Sequence, residues 1–495
     1  MTILLRSLSN KPCLPAAAPW ALLISCLALC SLSVFLFPLN HDASWILDIA
    51  RQVRSGANLY VDIIELNPPL IVWINIPVSA LSDILGTPVG LSFRITTLTL
   101  CLISISFSAK TLHGKIDKNL EWPLLFIACY ALIGAAGYDF GQREHLTVIL
   151  CLPYIAIATL RIQGIHTPKT FDVVAAIFAA IGFLIKPYFL LVPLSVEILV
   201  ARTTRRWLDE SAYIIATASF VYAILIFKYT PEYINLAKMV STVYGIGYLG
   251  NEFLDFLHVP NFQIASILIF ITFFTSRALP IHFQAVFVAA LSFACAALIQ
   301  NKAWSYHWYP ALAFSWILFC VAVTKLTTSN NGKQPSTNVL GGLMLIFSAT
   351  ALFSAPGKGY AENPAPKLLT PVIKELGGGP VMIFSNSLRV SYPLVTQTGI
   401  GSSSRLPTVV LLSASINSKN TDFENYLRKI IIEDMRKIPP HILIVEMEPR
   451  GMTQPFDFIT YFSQDPIFTE ELQDFKKSRR IGQFQFFQRV NTSSH

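Results

Sequence analysis

The residues able to do chemistry gather in four short polar stretches set between long apolar runs. The first runs from Phe37-Pro-Leu-Asn-His-Asp-Ala-Ser-Trp45 to Glu65-Leu-Asn-Pro-Pro69 and holds Asp42, Asp48, Asp62 and Glu65 with His41, Arg51 and Arg54. The second is Gly137-Tyr-Asp-Phe-Gly-Gln-Arg-Glu-His145, with Arg143 and Glu144 side by side. Lys186-Pro187 interrupts two apolar runs, and Gln300-Asn-Lys-Ala-Trp-Ser-Tyr-His-Trp-Tyr-Pro310 offers Lys302, Tyr306 and His307 among further aromatic rings. A fixed carboxylate can take the proton of an attacking hydroxyl, which contributes roughly 10²–10⁴-fold. Cations stabilise the charge that develops on a departing phosphate. Carboxylates, cations and rings together therefore suit transfer of a sugar carried on a lipid phosphate.

Each stretch also has a plainer reading. Asp42 could cap the helix that follows it. Arg143 could form a loop ion pair with Glu144 or Asp139, and Lys186 could snorkel to a membrane boundary. The tryptophans and tyrosines of 300–310 could form an interfacial belt. That belt accounts for the rings but not for Gln300, Lys302 and His307 together. A charge near the bilayer centre costs about 2.5–3.5 kcal/mol on insertion scales, so such groups line cavities and find partners. In the first stretch Trp45, Ile49 and Val53 recur at i, i+4 and i+8. This predicts a short amphipathic helix in the membrane interface with Asp48 turned to solvent. Asp42 sits just before this helix and is one candidate base among the four carboxylates of the loop, and a divalent metal, if any, would fall to His41 and Asp42.

The elements that must position these groups are read from composition. The chain has 495 residues, 53% hydrophobic and 13% charged, with a mean hydropathy of +0.54. A soluble domain carries roughly 25% charge, so half that value implies an α-helical polytopic membrane protein. About eleven crossings are expected, near 18–37, 91–109, 122–138, 146–160, 171–186, 188–200, 211–228, 262–275, 281–299, 308–325 and 338–354. The first is read as an uncleaved helix with its amino terminus in the cytoplasm. Segment 70–85, broken by Pro77 and Asp83, is expected to lie shallow, with a true crossing as the alternative. Placing the basic loops 110–121, 161–169, 202–206 and 325–333 in the cytoplasm brings the four polar stretches, the 229–261 loop and the tail to the opposite face. Arg94 would lie near that outer face, or else act as a cytoplasmic anchor.

Residues 1–354 thus form a membrane core with outer loop 38–69, and 355–495 a small extracytoplasmic α/β domain. In the tail, 380–384 and 441–445 read as buried strands, 481–490 as a closing strand, and 366–376 and 421–437 as helices. The Gly399–Arg405 segment lacks the lysine of a phosphate loop. All eight cysteines precede residue 321 and show no metal spacing. The net charge of +8 belongs with cytoplasmic loops, and nothing points to nucleic acid.

Asp42, Trp45, Ala50, Gly56, Leu59-Tyr60, Asp62 and Asn67-Pro-Pro-Leu70 resemble the first outer loop of GT-C glycosyltransferases. Relatives include the lipid A aminoarabinose transferases, protein O-mannosyltransferases and other polyprenyl-phosphate-sugar-dependent enzymes. The resemblance implies a helical membrane core in a bacterial inner membrane, a site on the non-cytoplasmic face, and a polyprenyl-phosphate sugar donor. It implies transfer with inversion to a glycan, lipid or protein acceptor. Asp42 would be the catalytic carboxylate and Arg143-Glu144 a second charged motif, with Glu144 a second catalytic candidate. Arg94, Arg143, Lys186, Lys302, Tyr306, His307 and Glu65 are the candidates for holding donor phosphate and substrate. Many relatives have two adjacent acids where this chain has His41-Asp42, and Lys or His where it has Asn67. Two other readings remain at this point: a glycan polymerase or ligase using diphosphate-linked substrates, and a lipid or sugar transporter. Transporter sites lie at the midplane between inverted repeats, which the one-sided polar clusters do not resemble.

Overall fold

The computed structural model describes residues 18–205, 209–246, 253–275, 280–331, 337–362, 364–449 and 456–490. Helix α1 spans Ala18–Leu36, α2 His41–Arg54, α3 Leu70–Leu85, α4 Val89–Leu112 and α5 Lys118–Cys129. Next come α6 (Arg143–Ile162), α7 (Lys169–Leu184), α8 (Leu191–Thr204), α9 (Glu210–Tyr229) and α10 (Glu232–Ile246). The core closes with α11 (Pro260–Phe274), α12 (Gln284–Ile299), α13 (Tyr309–Asn331) and α14 (Thr337–Glu362). Every apolar segment expected to cross falls on a helix. Among the described residues, six helical stretches are long and apolar enough to span a bilayer, and four more are apolar but shorter, among them Leu70–Leu85. At 1.5 Å per residue the 16 residues of α3 reach about 24 Å, less than the roughly 30 Å of a hydrocarbon core.

Helix α6 is the axis of the bundle. Every residue of it but Arg161 is buried, against α4, α7, α8, α12 and α13. Its contact with α7 depends on Gly182, where a Cβ would stand 3.0 Å from Leu150 Cβ. Thr147 Oγ1 donates to the Gly182 carbonyl at 3.0 Å across this contact. At the far end of α6, Arg161 grips the Glu197 carboxylate of α8 with two bonds of 2.9 Å. A helix fixed at both ends holds its first turn, Arg143-Glu144-His145, in one place.

The carboxy-terminal region is a four-stranded sheet of order β1-β2-β4-β3, with β1 at Val381–Phe384, β2 at Ile442–Glu446, β3 at Phe475–Ile481 and β4 at Phe484–Arg489. β1 and β2 pair in parallel, and β4 runs antiparallel to both its neighbours. Helix α15 (Ala365–Glu375) covers one face, its Leu369, Val372 and Ile373 packing on Val381, Ile383, Ile442 and Ile444. Helix α19 (Thr421–Lys437) covers the other through Phe423, Leu427 and Ile430. Alternate strand residues thus bury on opposite faces, as the pleat requires. Between them lie α16 (Leu388–Ser391), α17 (Leu394–Thr398) and α18 (Val410–Asn417).

Two readings of the sequence need correction. The single closing strand expected at 481–490 is a hairpin that turns at Gly482, which has a φ of +56°, and its first arm is β3. That arm, Phe-Lys-Lys-Ser-Arg-Arg-Ile, is an edge strand exposed along most of its length. Its charges protect an open edge and hide the apolar alternation that marks inner strands. The second correction concerns α2. It forms, and Arg51 and Arg54 at its end are exposed, but Asp48 does not face water: all of Ala43 to Ala50 is buried, Asp48 included. The reason is that α2 packs on α3 and α4 on one side and on α16 and α17 of the sheet domain on another.

Candidate active site beneath the sheet domain

The first turn of α2 carries Asp42. Asn40, not Asp42, caps the helix, accepting the Asp42 N–H on its side-chain oxygen at 2.9 Å. The Asp42 carboxylate is therefore not used up in capping. Its Oδ2 accepts from Gln142 Nε2 and from Arg143, each at 3.0 Å, and its Oδ1 lies 3.8 Å from His41 Nε2. Burial would push this carboxyl up, but the His41 and Arg143 charges and the Gln142 amide hold it down at about 2. Asp42 is ionised across the physiological range.

Gln142 and Arg143 reach Asp42 because the loop before α6 is folded tightly. Gly141 has a φ of +82°, and a Cβ there would meet the Phe93 ring at 2.4 Å. The His145 ring holds the turn from behind. It accepts the Gly141 N–H on Nδ1 at 2.8 Å and bonds the Leu132 carbonyl through Nε2 at 2.6 Å. With Nδ1 accepting from an amide, Nε2 carries the proton. Gln142 Nε2 also donates to Asn40 at 2.9 Å, and Asn40 to the Tyr138 carbonyl at 3.1 Å, lacing this loop to the start of α2.

A second charged cluster adjoins the first. Glu144 Oε1 takes an ion pair from Lys186 and lies 3.7 Å from His307 Nε2. Lys186 also donates to Gln300 at 3.1 Å and lies 5.6 Å from the centre of the Tyr306 ring. Lys302 sits 4.6 Å from the Trp304 ring centre, and Tyr306 packs on both Trp304 and His307. Burial, with the Lys186 and Arg143 charges, pushes the Lys302 ammonium down to about 6. Glu144 Oε2, His307 Nδ1 and Arg143 Nε are buried without a hydrogen-bond partner. Such atoms are costly to leave unmet, and here they adjoin one charged site.

The four polar stretches thus divide. Asp42, Arg143, Glu144, Lys186, Tyr306 and His307 are linked by these contacts, and the charges of Lys186, Arg143 and Asp42 all act on Lys302. The Asp42 side chain is 16% exposed and that of Glu144 0%, so of the two carboxylates Asp42 is the one a substrate can touch. Glu65 accepts from Trp45 Nε1 at 2.6 Å and from the Asn67 N–H at 2.8 Å, and its charge also acts on Arg143. Arg94 donates to the Phe37 carbonyl at 2.7 Å, at the end of α1, and does not join the cluster. Asp62 accepts from the Asn58 N–H at 2.8 Å, and the Tyr60 hydroxyl donates to the Asn67 carbonyl at 2.6 Å. These loop residues set backbone shape. Asn40, Gln142 and Gln300 are site residues that charge-based reading passes over, although each lies inside a polar stretch. Among the described residues no three His, Cys, Asp or Glu side chains converge as metal ligands. Beyond His41, the neighbours of Asp42 are an amide and a guanidinium, a donor set that does not fit a cation.

Apolar helices whose polar loops converge beneath a small α/β domain are an arrangement this chain shares with a solved structure. The structure of ArnT from Cupriavidus metallidurans, solved bound to undecaprenyl phosphate, superposes with a TM-score of 0.61 over 97% of this chain and 99% of that one, at 12% identity. The archaeal oligosaccharyltransferase AglB from Archaeoglobus fulgidus, in complex with an inhibitory peptide and a dolichol-phosphate, gives 0.45 at 12% identity over 88% of this chain and 70% of that one. No protein-family model matches the sequence, and no curated protein is significantly similar to it.

Proposed function

We propose that this protein is a membrane glycosyltransferase. It moves a sugar from a polyprenyl-phosphate donor to a hydroxyl of a glycan, lipid or protein acceptor, with inversion, at the outer face of a bacterial inner membrane. The observation that carries this reading is one ionised, partly open carboxylate, Asp42, close to three buried basic side chains, Arg143, Lys186 and Lys302. Clustered basic side chains are complementary to an anion, whose binding favours their charged form. Transferring the sugar leaves a phosphate whose growing charge these cations stabilise. Trp304 and Tyr306 supply faces for a sugar ring.

Asp42 takes the acceptor hydroxyl's proton as that oxygen attacks the anomeric carbon from the side opposite the phosphate. A carboxylate held near 2 is a weak base while Arg143 is on it. A donor phosphate that draws Arg143 away returns Asp42 toward the ordinary range, so basicity rises only when donor is present. Glu144 keeps Lys186 in place as its buried counter-charge. The positive-inside assignment of the basic loops is what supports the extracytoplasmic location of the site and the sheet domain.

The test is donor use in membranes that contain the protein. Radiolabelled sugar on a polyprenyl monophosphate is expected to pass to acceptor. Transfer from a diphosphate-linked donor alone would overturn this reading in favour of a polymerase or ligase.

A further inference from the structure

The sheet domain holds α2 through side chains that have no part in the chemistry proposed above. Asp48, two turns along α2 from Asp42, is 2% exposed and accepts hydrogen bonds from Arg51 at 2.6 Å and Gln52 at 3.0 Å, both on its own helix. Its third donor comes from the other end of the chain: Tyr392 Oη, at 2.9 Å. The Tyr392 ring packs against Trp45 at 5.1 Å between centres. One turn nearer Asp42, the Ser44 and Thr396 hydroxyls are hydrogen-bonded to each other. Arg389 lies over the Tyr138 ring at 5.8 Å, and the Tyr138 hydroxyl bonds His41 Nδ1 at 3.0 Å. A single segment, Leu388–Thr398, thus contacts the Asp42 helix directly at two successive turns and, through Tyr138, at its first residue.

A buried carboxylate is expensive unless its acceptor sites are met. Ser44, Trp45 and Asp48 stand at i, i+1 and i+4, one side of the helix, and that side is the one Leu388–Thr398 covers. Asp42 and Ile46 stand on another side. We infer that the Asp48–Tyr392 hydrogen bond makes the sheet domain a positioning element for Asp42. The domain fixes the rotation and depth of α2, and so where the Asp42 carboxylate sits relative to Arg143 and the acceptor. This rests on the transferase reading for its kinetic consequence and on packing alone for the docking itself. Misplacement of a catalytic group by about 1 Å can lower a rate by about 10²-fold.

The test uses the full-length protein in membranes. Tyr392→Phe keeps the ring on Trp45 and removes only the hydroxyl. We expect kcat to fall about tenfold with donor KM and membrane abundance unchanged, whereas a merely structural role would lower abundance and leave kcat per folded molecule intact. Separately, a Ser44→Cys/Thr396→Cys pair is expected to form a cross-link detectable by mass spectrometry, and the cross-linked protein to retain the rate of its reduced form. Wild-type kcat in Tyr392→Phe would overturn the positioning role, and failure to cross-link would overturn the docking. If the wild-type protein transferred no sugar, the transferase reading would fail. The cross-link would still decide whether the domain is seated on α2.

Discussion

Arg143 donates to the Asp42 carboxylate at 3.0 Å across 101 residues of chain. Neither residue could hold this position alone. Asp42 is fixed by an Asn40-capped turn, and Arg143 by a loop in which Gly141 passes against Phe93. The pair keeps the Asp42 carboxylate ionised and restrained.

Replacing Arg143 by Gln should therefore have a divided effect. Asp42 loses a restraining charge and its pKa rises toward the ordinary value, while the donor loses a cation. We expect donor KM to rise at least tenfold and the acid limb of the kcat/KM–pH profile, which reports the free enzyme, to move upward. Steady-state kinetics from roughly pH 3 to 8 would register both. A shift of neither would separate Arg143 from the reaction.

Lys302 gives the clearest pH prediction. Its ammonium is pushed down to about 6, so in the empty site it is charged below that pH and neutral above it. A bound phosphate restores the proton. Donor binding should then take up about one proton above pH 6, and donor KM should rise by up to about tenfold per unit as pH increases. Lys302→Arg carries a charge that does not titrate in this range and should flatten the profile. A flat donor KM in the wild-type protein would contradict the assignment.

The Glu144–Lys186 pair should behave as a buried ion pair does. Removing one partner strands the other charge and typically costs about 3–5 kcal/mol. Lys186→Met and Glu144→Gln should each lower thermal stability in detergent, and the double variant should recover much of the loss. Additive losses would mean the two side chains act independently. If Lys186 holds the donor and Glu144 holds Lys186, as proposed, transfer should remain impaired in all three.

Gly141→Ala is predicted to unseat the loop rather than the chemistry. The added methyl would meet the Phe93 ring at 2.4 Å in a backbone conformation with a φ of +82°. We expect reduced membrane abundance, and partial rescue by Phe93→Ala. Wild-type abundance in Gly141→Ala would show that the loop can shift.

Much of this organisation is legible in the sequence because its carriers are periodic or locally encoded. Long apolar runs give the helices, and Asp42, Arg143, Lys186 and Lys302 stand out because charge is scarce there. What the sequence hides is long-range. Asp48 reads as solvent-facing because nothing near it reveals that Tyr392, 344 residues on, completes its hydrogen bonds. The capping role reads as Asp42's because Asn40 is an equally good cap and only the fold distinguishes them. Glu65 and Arg94 have the right chemistry, but their partners are Trp45, Asn67 and the Phe37 carbonyl. β3 escapes notice because an edge strand has one neighbour and a charged surface.

The most direct test is Asp42→Asn, which preserves shape and the Gln142 and Arg143 neighbours while removing the base. Sugar transfer from a polyprenyl-phosphate donor would be measured in membranes matched for protein abundance. Transfer is predicted to fall by about 10²–10⁴-fold with donor binding retained. Transfer near the wild-type rate would contradict the role of Asp42, and with it the account of the site.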